Sequence, residues 1–136
     1  MSKFYIRLES HPTNVVAVCV GDGDKPELKF LQEQVGGYIE RVSLPKLEAE
    51  HIDMYVNDEA LLTPKPLYNY SASRLANEEN GVAPTKENDY GYFICGNAVI
   101  VGSKETTEGI ESAWLDQDQV GKVLKALHIK ALHMMK

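Results

Sequence analysis

The chain has 136 residues, 43% of them hydrophobic, and a formal net charge of -6 at pH 7. This length suits one domain with one core, and the hydrophobic fraction is too high for a disordered chain. No apolar run approaches the roughly 18 residues of a membrane-spanning helix, and two cysteines are too few for the disulfide framework of a small secreted domain. We therefore expect a single domain, residues 1–136, in the cytoplasm, without a signal peptide or a membrane partner.

The first predicted elements are two strands. Residues 3–9, "KFYIRLE", alternate apolar and polar side chains, which is typical of a half-buried strand. Residues 15–21, "VVAVCVG", are nearly all apolar and β-branched, which indicates a central strand buried on both faces. Cys19 lies in this run and Cys95 in a similar one, so both are predicted to be buried, reduced thiols.

A helix follows and stops at two glycines, in the stretch "LQEQVGGYIERV" from Leu31 to Val42. Leu28, Leu31 and Val35 fall on one helical face. Gly36 can adopt the left-handed conformation that ends a helix, and the chain then continues as the strand "YIERVSL". Strand, helix and strand form either a βαβ-like unit or two strands with a helix packed across them.

The middle of the chain predicts two more strands and a short helix. Residues 51–58, "HIDMYVND", alternate as a strand that ends in a turn. A short helix is predicted from Leu67 to Ala76. Residues 90–102, "YGYFICGNAVIVG", indicate a strand in which Gly96-Asn97 is a bulge, the favoured interpretation, or a two-residue hairpin turn.

The remainder, residues 103–136, is predicted to be a helical extension. Residues 106–114, "TTEGIESAW", suit a short helix, and Asp116 with Gln119 can cap a longer one. An apolar stripe on that helix would pack against the core or form a contact with a partner. The second alternative predicts a homodimer, with an interface at Val120, Val123, Leu124 and Leu127. The fold class is α+β: a small mixed sheet, one crossing helix and this helical extension.

Motifs for catalysis or metal binding are missing from the sequence. The four histidines lack metal-ligand spacing, and there is no C-x-x-C, nucleophile-elbow or phosphate-loop motif. We therefore predict no catalytic residue, no metal and no cofactor. Residues 117–136 hold four lysines against Asp118 alone, so the acidic excess lies in the body before them. Because an acidic body repels phosphates, nucleic acid is not expected as its partner.

One segment has the residue types that bind a nucleotide-like ligand. "PLYNYSASR" supplies rings that can stack on a base, an amide that can hydrogen-bond to one and an arginine for a phosphate. The predicted ligand-binding residues are Tyr68, Asn69, Tyr70 and Arg74, with Tyr92 adding a ring from the neighbouring strand. The alternative interpretation is a capped helix start, in which Asn69 bonds backbone amides.

Four segments, taken in order, resemble a family known as a numbered domain of unknown function. Its members occur in phages, prophages, plasmids, large viruses and their hosts. The matching residues are Gly36, Gly37, Tyr38, Ile39 and Glu40; Asn57, Asp58 and Glu59; Pro66, Asn69 and Ala72; and Gly96, Val101 and Gly102. The resemblance covers residues 15–102. The N-terminal strand, an insertion around residues 77–89 and the C-terminal segment depart from the family pattern.

The resemblance implies a setting, because the family carries no established activity. It implies a small accessory protein of a phage or other mobile element that acts in the cytoplasm of a bacterial host. With no catalytic constellation, the first hypothesis is a non-enzymatic protein that binds and blocks a host factor, such as a component of bacterial defence. The second is a sponge that sequesters a nucleotide-derived immune signal. The third is an uncharacterised enzyme.

Overall fold

The computed structural model describes residues 2–11, 13–21, 23, 25–82, 91–129 and 134–135. Its strands are β1 (Lys3–Ser10), β2 (Thr13–Val20), β3 (Ile39–Val42), β4 (Ile52–Asn57), β5 (Ala98–Thr106), β6 (Gly109–Ala113) and β7 (Met134–Met135). Its helices are α1 (Leu28–Val35), α2 (Pro45–Glu48), α3 (Tyr70–Glu79) and α4 (Gln117–Ala126), with a 3-10 turn at Ala60–Leu62. The predicted α+β class is confirmed.

The strands form one sheet in the order β3-β4-β5-β1-β2-β7, and β6 pairs with the far end of β5. Every pairing is antiparallel except that of β2 with the two-residue β7, which makes the sheet mixed. β2 and β3 run in the same direction with three strands between them. The segment that connects them, including α1, therefore crosses the sheet. The unit is βαβ-like in having parallel strands, but its two strands are not neighbours.

The prediction that β2 is the buried central strand is wrong. Only two of its eight residues are buried, and the short β7 is its outer neighbour. The central strand is β5, whose first five residues, 98–102, are all buried between β1 and β4. An unbroken apolar run indicates that both faces of a strand are covered. It does not indicate whether the strand lies at the centre or near the edge of the sheet.

The two faces of the sheet carry different helices. One face bears the larger core, in which Ile6, Met54 and Ile100 pack with side chains of α2, α3 and α4. On the other face α1 lays Leu31 and Val35 against β5. The alternation predicted for β1 is confirmed, because Phe4, Ile6 and Leu8 are buried while the residues between and beside them are half-buried or exposed. Both faces of the central strands are therefore covered, as a stable sheet requires.

Gly36 ends α1 in the predicted left-handed conformation, with φ 82° and ψ 27°. Its amide donates to the carbonyl of Gln32 over 2.8 Å. We expect Gly36→Val to lower the free energy of unfolding by more than about 1 kcal/mol, because a β-branched residue is strained at this φ. Denaturant unfolding measures the effect. Gly121→Val is the matched control, since that glycine lies within α4 with open space around it, and equal losses in both variants would contradict the assignment.

Part of the predicted C-terminal helical extension is a β-hairpin. Residues 106–114 were expected to be a short helix, but β5 continues to Thr106, turns at residues 107–108 and returns as β6. The Thr106 hydroxyl donates to the carbonyl of Gly109 over 2.9 Å, and Gly109 takes φ 124°. The positive φ falls on Gly109, just after the two turn residues, where glycine adopts it without steric cost. The longer helix is present as α4, and Asp116 and Gln119 form its predicted capping box.

The stripe on α4 belongs to the core of this chain. Val120, Val123 and Leu124 are buried in the larger core, and Leu127 packs half-buried against it. The prediction of a homodimer interface at these four residues is therefore wrong, because they offer no exposed patch to a second copy. The first alternative, core packing, is what the structure shows. Assembly as a homodimer stays a prediction without an assigned surface.

The strand predicted from residue 90 begins only at Ala98. Residues 91–97 are irregular, and Gly96 forms a turn with φ 78°, so it is neither a bulge nor a hairpin turn. Cys95 instead makes an isolated bridge with Tyr68. The predicted insertion at residues 77–89 is helical to Glu79, the end of α3, while its residues 83–89 lie outside the described residues.

Candidate binding surface

Asn69 was predicted both as a ligand-binding residue and, alternatively, as a helix cap. The structure shows the cap: its side-chain oxygen accepts from the amide of Ala72 over 3.0 Å. Its amide nitrogen donates to the carbonyls of Leu8 and Gly96, each over 2.8 Å. The residue is fully buried. These bonds use the oxygen and both amide hydrogens, so Asn69 ties α3 to β1 and to the turn before β5 and has no group left for a ligand.

The other predicted ligand-binding residues do not share one cavity. Tyr70 and Arg74 line a small cavity of about 130 Å³ beside the end of α4, and Arg74 donates to Glu78 over 2.9 Å. Tyr92 lies elsewhere, in the irregular segment before β5 and not on a strand. The ring of Tyr68 packs on the ring of Phe93, with centroids 4.7 Å apart. The structure therefore separates Tyr70 and Arg74 from Tyr68 and Tyr92.

A second feature of the surface is a group of exposed apolar side chains at one end of the sheet. Three segments contribute them: the residue before β3, the 3-10 turn with the loop after it, and the irregular segment before β5. We call this group the apolar end, and its members are Tyr38, Leu61, Leu62, Leu67, Tyr68, Tyr92 and Phe93. The other large apolar side chains that are exposed among the described residues are Leu28, Tyr70 and Ile110.

Two cavities are lined by five of the seven members of the apolar end. One of about 470 Å³ lies between the Gly36–Gly37 turn and the loop after β4, and Tyr38 and Leu62 line it. The other, of about 390 Å³, runs along β3 and is lined by Leu61, Tyr92 and Phe93. Asn57 lines both cavities, so they lie on either side of the end of β4. Because of these two cavities, the surface of the apolar end is concave in two places and not flat.

The glycine pair and Asn57 explain why this end of the molecule has its shape. The Asn57 side chain donates to the carbonyl of Val35 over 3.2 Å and accepts from the amide of Glu59 over 2.8 Å. It thereby joins the end of α1 to the turn after β4. A Cβ on Gly37 would lie 3.0 Å from the Asn57 nitrogen, so the close approach requires a small residue. The glycine pair and Asn57 belong to the segments that resemble the family, and their role here is to stabilise the fold.

The rim of the apolar end is acidic. Glu40 and Asp58 line the cavity along β3, and Glu59 lines the neighbouring one. The nearest arginine, Arg41, is held by two carboxylates, at 2.6 Å from Glu48 and 3.4 Å from Asp53. Arg41 is therefore already paired, and the other described cation of this region, the exposed Lys65 between Leu62 and Leu67, stands against three carboxylates. The field at the rim is negative as a result, and it favours a partner with lysine or arginine side chains.

A third cavity, of about 500 Å³, is lined by charged groups on the opposite face of β3 and β4. Arg41 crosses it between Glu48 and the buried Asp53, with His51 and Lys104 at its walls. Burial raises the pKa of the Asp53 carboxyl above its ordinary value, although Arg41 acts in the other direction. A carboxyl with a raised pKa in a cleft is one feature of acid–base catalysis, but structural ion-pair networks produce it as well.

The pKa of the Glu48 carboxyl is shifted in the opposite direction from that of Asp53. Burial alone would raise the pKa of its carboxyl, but hydrogen bonds from Arg41, Ser43 and a backbone amide together outweigh burial and lower it. The two carboxyls that hold Arg41 therefore have pKa values shifted in opposite directions. Within the described residues no group of histidine, cysteine or carboxylate side chains could hold a metal ion.

These shifts predict two opposite pH dependences. Because the folded state raises the pKa of Asp53, its ionisation costs stability, so wild type should lose stability relative to Asp53→Asn as the pH rises from about 3.8 to the raised value. Because the folded state lowers the pKa of Glu48, wild type should lose stability relative to Glu48→Gln as the pH falls below about 4.5. Denaturant unfolding at steps between about pH 3 and 7 measures both. Slopes of the same sign would contradict the assignment.

The thiols of Cys19 and Cys95 should react with a labelling reagent at different rates. The sequence had predicted that both are buried. Cys95, in the wall of the cavity along β3, is 2% exposed, whereas Cys19 on β2 is half-buried. Burial also raises the pKa of the Cys95 thiol and so lowers its thiolate fraction. In the native protein we expect slow labelling of the thiol left in Cys19→Ser and faster labelling of the one in Cys95→Ser, with fast labelling of both after unfolding. Equal native rates would contradict this.

Sequence reasoning did not identify the apolar end. The signal was present in "EALLTPKPL", where Leu61 and Leu62 precede two prolines. Adjacent leucines in a segment that proline keeps from being a helix or a central strand have no core face to occupy. Tyr38 and Phe93 gave no comparable signal, because each lies in an apolar run that a buried strand would explain equally well.

These features define a small α+β protein whose most prominent described surface is apolar with an acidic rim. A family model, the domain of unknown function DUF3846, matches residues 6–128. The chain therefore belongs to this family, which confirms the resemblance to a numbered domain of unknown function. No curated protein and no solved structure matches the chain. None of the helices among the described residues is long and apolar enough to cross a membrane.

Proposed function

We propose that this protein is a non-enzymatic accessory protein of a phage or other mobile element. It binds a protein of the host cell, in the host cytoplasm, and blocks that protein. A component of bacterial defence is the proposed target. This is the first of the three functions that the sequence left open, and the apolar end is the observation that supports it.

The exposure of the apolar end is the reason for this choice. Leu62 is 82% exposed, Tyr38 68% and Phe93 59%. Single exposed apolar residues are ordinary, but a connected group of them marks an interaction surface. Aromatic residues are also the side chains that contribute most to protein interfaces. An acidic rim around an apolar centre matches the usual anatomy of such interfaces.

The two alternatives have less support. A nucleotide sponge would need Asn69, which is buried and fully bonded, and Arg74, which is paired with Glu78. Of its proposed pocket, the rings of Tyr68, Tyr70 and Tyr92 remain for stacking, but Tyr70 lies in a different cavity from Tyr92. An enzyme would use the charged cavity around Arg41, where neither a metal-ligand set nor a nucleophile activated by a base accompanies Asp53 among the described residues.

The test is capture of a host protein with matched surface variants. Tagged wild type, Leu62→Asp, Phe93→Asp and Ile110→Asp are incubated with lysate of the bacterial host. Ile110 is the control, because it is 75% exposed but lies outside the apolar end. We expect one host protein to be retained by wild type and Ile110→Asp and lost by the other two. The purified host protein should then lose its own activity when wild type is added.

Two results would overturn the proposal. One is a host protein that all four forms retain equally, since its binding would not use the apolar end. The other is a nucleotide that mass spectrometry finds in the purified wild type but not in Tyr68→Ala. That result would favour the second hypothesis, a sponge for a nucleotide-derived signal. Thermal melts of the variants accompany both measurements, because an unfolded variant would lose a partner trivially.

A further inference from the structure

β3 is the end strand of the sheet, so one of its edges faces away from β4. The direction of its backbone groups follows from the register. The amide of Asp58 donates to the carbonyl of Tyr38 over 2.9 Å, and Ile39 to Val42 pair in sequence with Asn57 to Met54. Since hydrogen-bonded and non-bonded pairs alternate in an antiparallel ladder, the backbone groups of Ile39 and Arg41 point to the outer edge. No described residue bonds to them.

The cavity of about 390 Å³ lies over one face of β3 and of the end of β4. Residues 40–43, residues 56–58 with Ala60 and Leu61, and the segment from Tyr92 to Cys95 line it. Glu40 and Val42 are on the face of β3 that looks into it, because they pair with Val56 and Met54 of the larger core. A strand added at the edge of β3 would send alternate side chains to this same face.

The side chain of Arg41 does not block the edge. It extends on the other face, to Glu48 and Asp53. A charge on an edge strand commonly prevents pairing with other chains, but here that charge is neutralised at a distance from the edge. Two further charges lie beside the cavity, the carboxylates of Glu40 and Asp58, and none of the described residues forms an ion pair with them.

We infer that β3 accepts an extended segment of the partner protein as an additional strand of the sheet. An apolar side chain of that segment enters the cavity between Leu61 and Phe93, and lysine or arginine side chains beside it meet Glu40 and Asp58. Backbone hydrogen bonds to Ile39 and Arg41 give the segment its register, as in other cases of strand addition. This inference rests on the proposed function and specifies how the partner binds.

The charges argue for a different protein over a second copy of this chain. Two copies paired through their β3 edges would bring the acidic groups of one rim against those of the other, and juxtaposed like charges are unfavourable. A basic segment has the opposite effect, because it neutralises Glu40 and Asp58 and leaves the Arg41 ion pairs intact. The occupant is therefore an apolar and basic extended segment of another protein.

The test uses a display library of random peptides of about twelve residues, selected on the immobilised full-length protein. We expect enrichment of peptides that carry apolar residues flanked by lysine or arginine. Hydrogen exchange of wild type with a selected peptide should show new protection of the Ile39 and Arg41 amides. Arg41→Pro, which removes one outer amide, should weaken binding about tenfold relative to Arg41→Ala, which keeps that amide and removes the same side chain.

Several results would overturn the inference. These are a library with no enriched peptide, enriched peptides that leave the Ile39 and Arg41 amides unprotected, or equal affinities of Arg41→Pro and Arg41→Ala. The exchange measurement uses wild type, so it decides even if Arg41→Pro does not fold. The proposed function fails separately: if the host protein is lost by Leu62→Asp but binds Arg41→Pro and Arg41→Ala equally, the apolar end binds a partner and strand addition is wrong.

Discussion

Val123→Asp should leave the protein unfolded at neutral pH. Val123 is completely buried in the larger core, on the face of α4 that covers the sheet. An ionised carboxylate at that position has no described basic partner, and burying an unpaired charge costs several kcal/mol or more. A domain of this size is stabilised by only about 5–15 kcal/mol in total. Circular dichroism and denaturant unfolding would show the loss of the folded state.

Gly121→Asp is the matched control, because it places the same side chain in the same helix but at an exposed position with open space around it. That variant should stay folded. The experiment separates the two interpretations of the α4 stripe. If Val123→Asp were a folded protein that had changed only its state of assembly, the stripe would be an interface after all and its assignment to the core would be wrong.

Replacing Asn69 by aspartate should cost about 3 kcal/mol of unfolding free energy or more. Aspartate can still cap α3 by accepting from Ala72, so the cap contribution of about 1 kcal/mol is retained. It cannot donate, so the carbonyls of Leu8 and Gly96 lose their bonds and face a buried carboxylate. Each buried polar group left unsatisfied costs about 1–3 kcal/mol, and more when it is charged. Denaturant unfolding measures the loss.

Asn80→Asp is the control for this substitution. Asn80 follows α3 and also donates to two backbone carbonyls, those of Ser43 and Ala76, but it is only half-buried, so water can replace both bonds. We expect a loss of about 1 kcal/mol or less for that variant. Comparable losses at both positions would contradict the role of Asn69 as the buried tie between α3, β1 and the turn before β5.

The local elements of this protein could be read from its sequence where the signal was periodic or conformational. Alternation identified β1 and β4, because a sheet with one buried and one half-buried face requires it. The end of α1 at Gly36 followed from the steric freedom of glycine at positive φ. The capping box of Asp116 and Gln119 marked the start of α4. Each of these signals is carried by residues a few positions apart.

Segments with ambiguous local preference were predicted less well. The residue types of 106–114 are compatible with a helix. The segment is a strand because it pairs with β5, and that pairing is not visible in its local sequence. The same limit applies to "PLYNYSASR", where the residue types of a ligand pocket and of a capped helix coincide. The burial of Asn69 depends on β1 and on Gly96, which lie 61 and 27 residues away in the chain.

What the sequence determined by itself is therefore the elements with a clear periodic signal, the end of α1, the start of α4, and membership of a family whose activity is unknown. Only the tertiary structure decided which apolar residues are covered. It placed the α4 stripe in the core and left Leu61, Leu62 and Phe93 exposed, although all of them look alike in the sequence. The physical reason is that burial depends on which elements pack against one another across the sheet, and that arrangement is fixed by contacts between residues far apart in the chain.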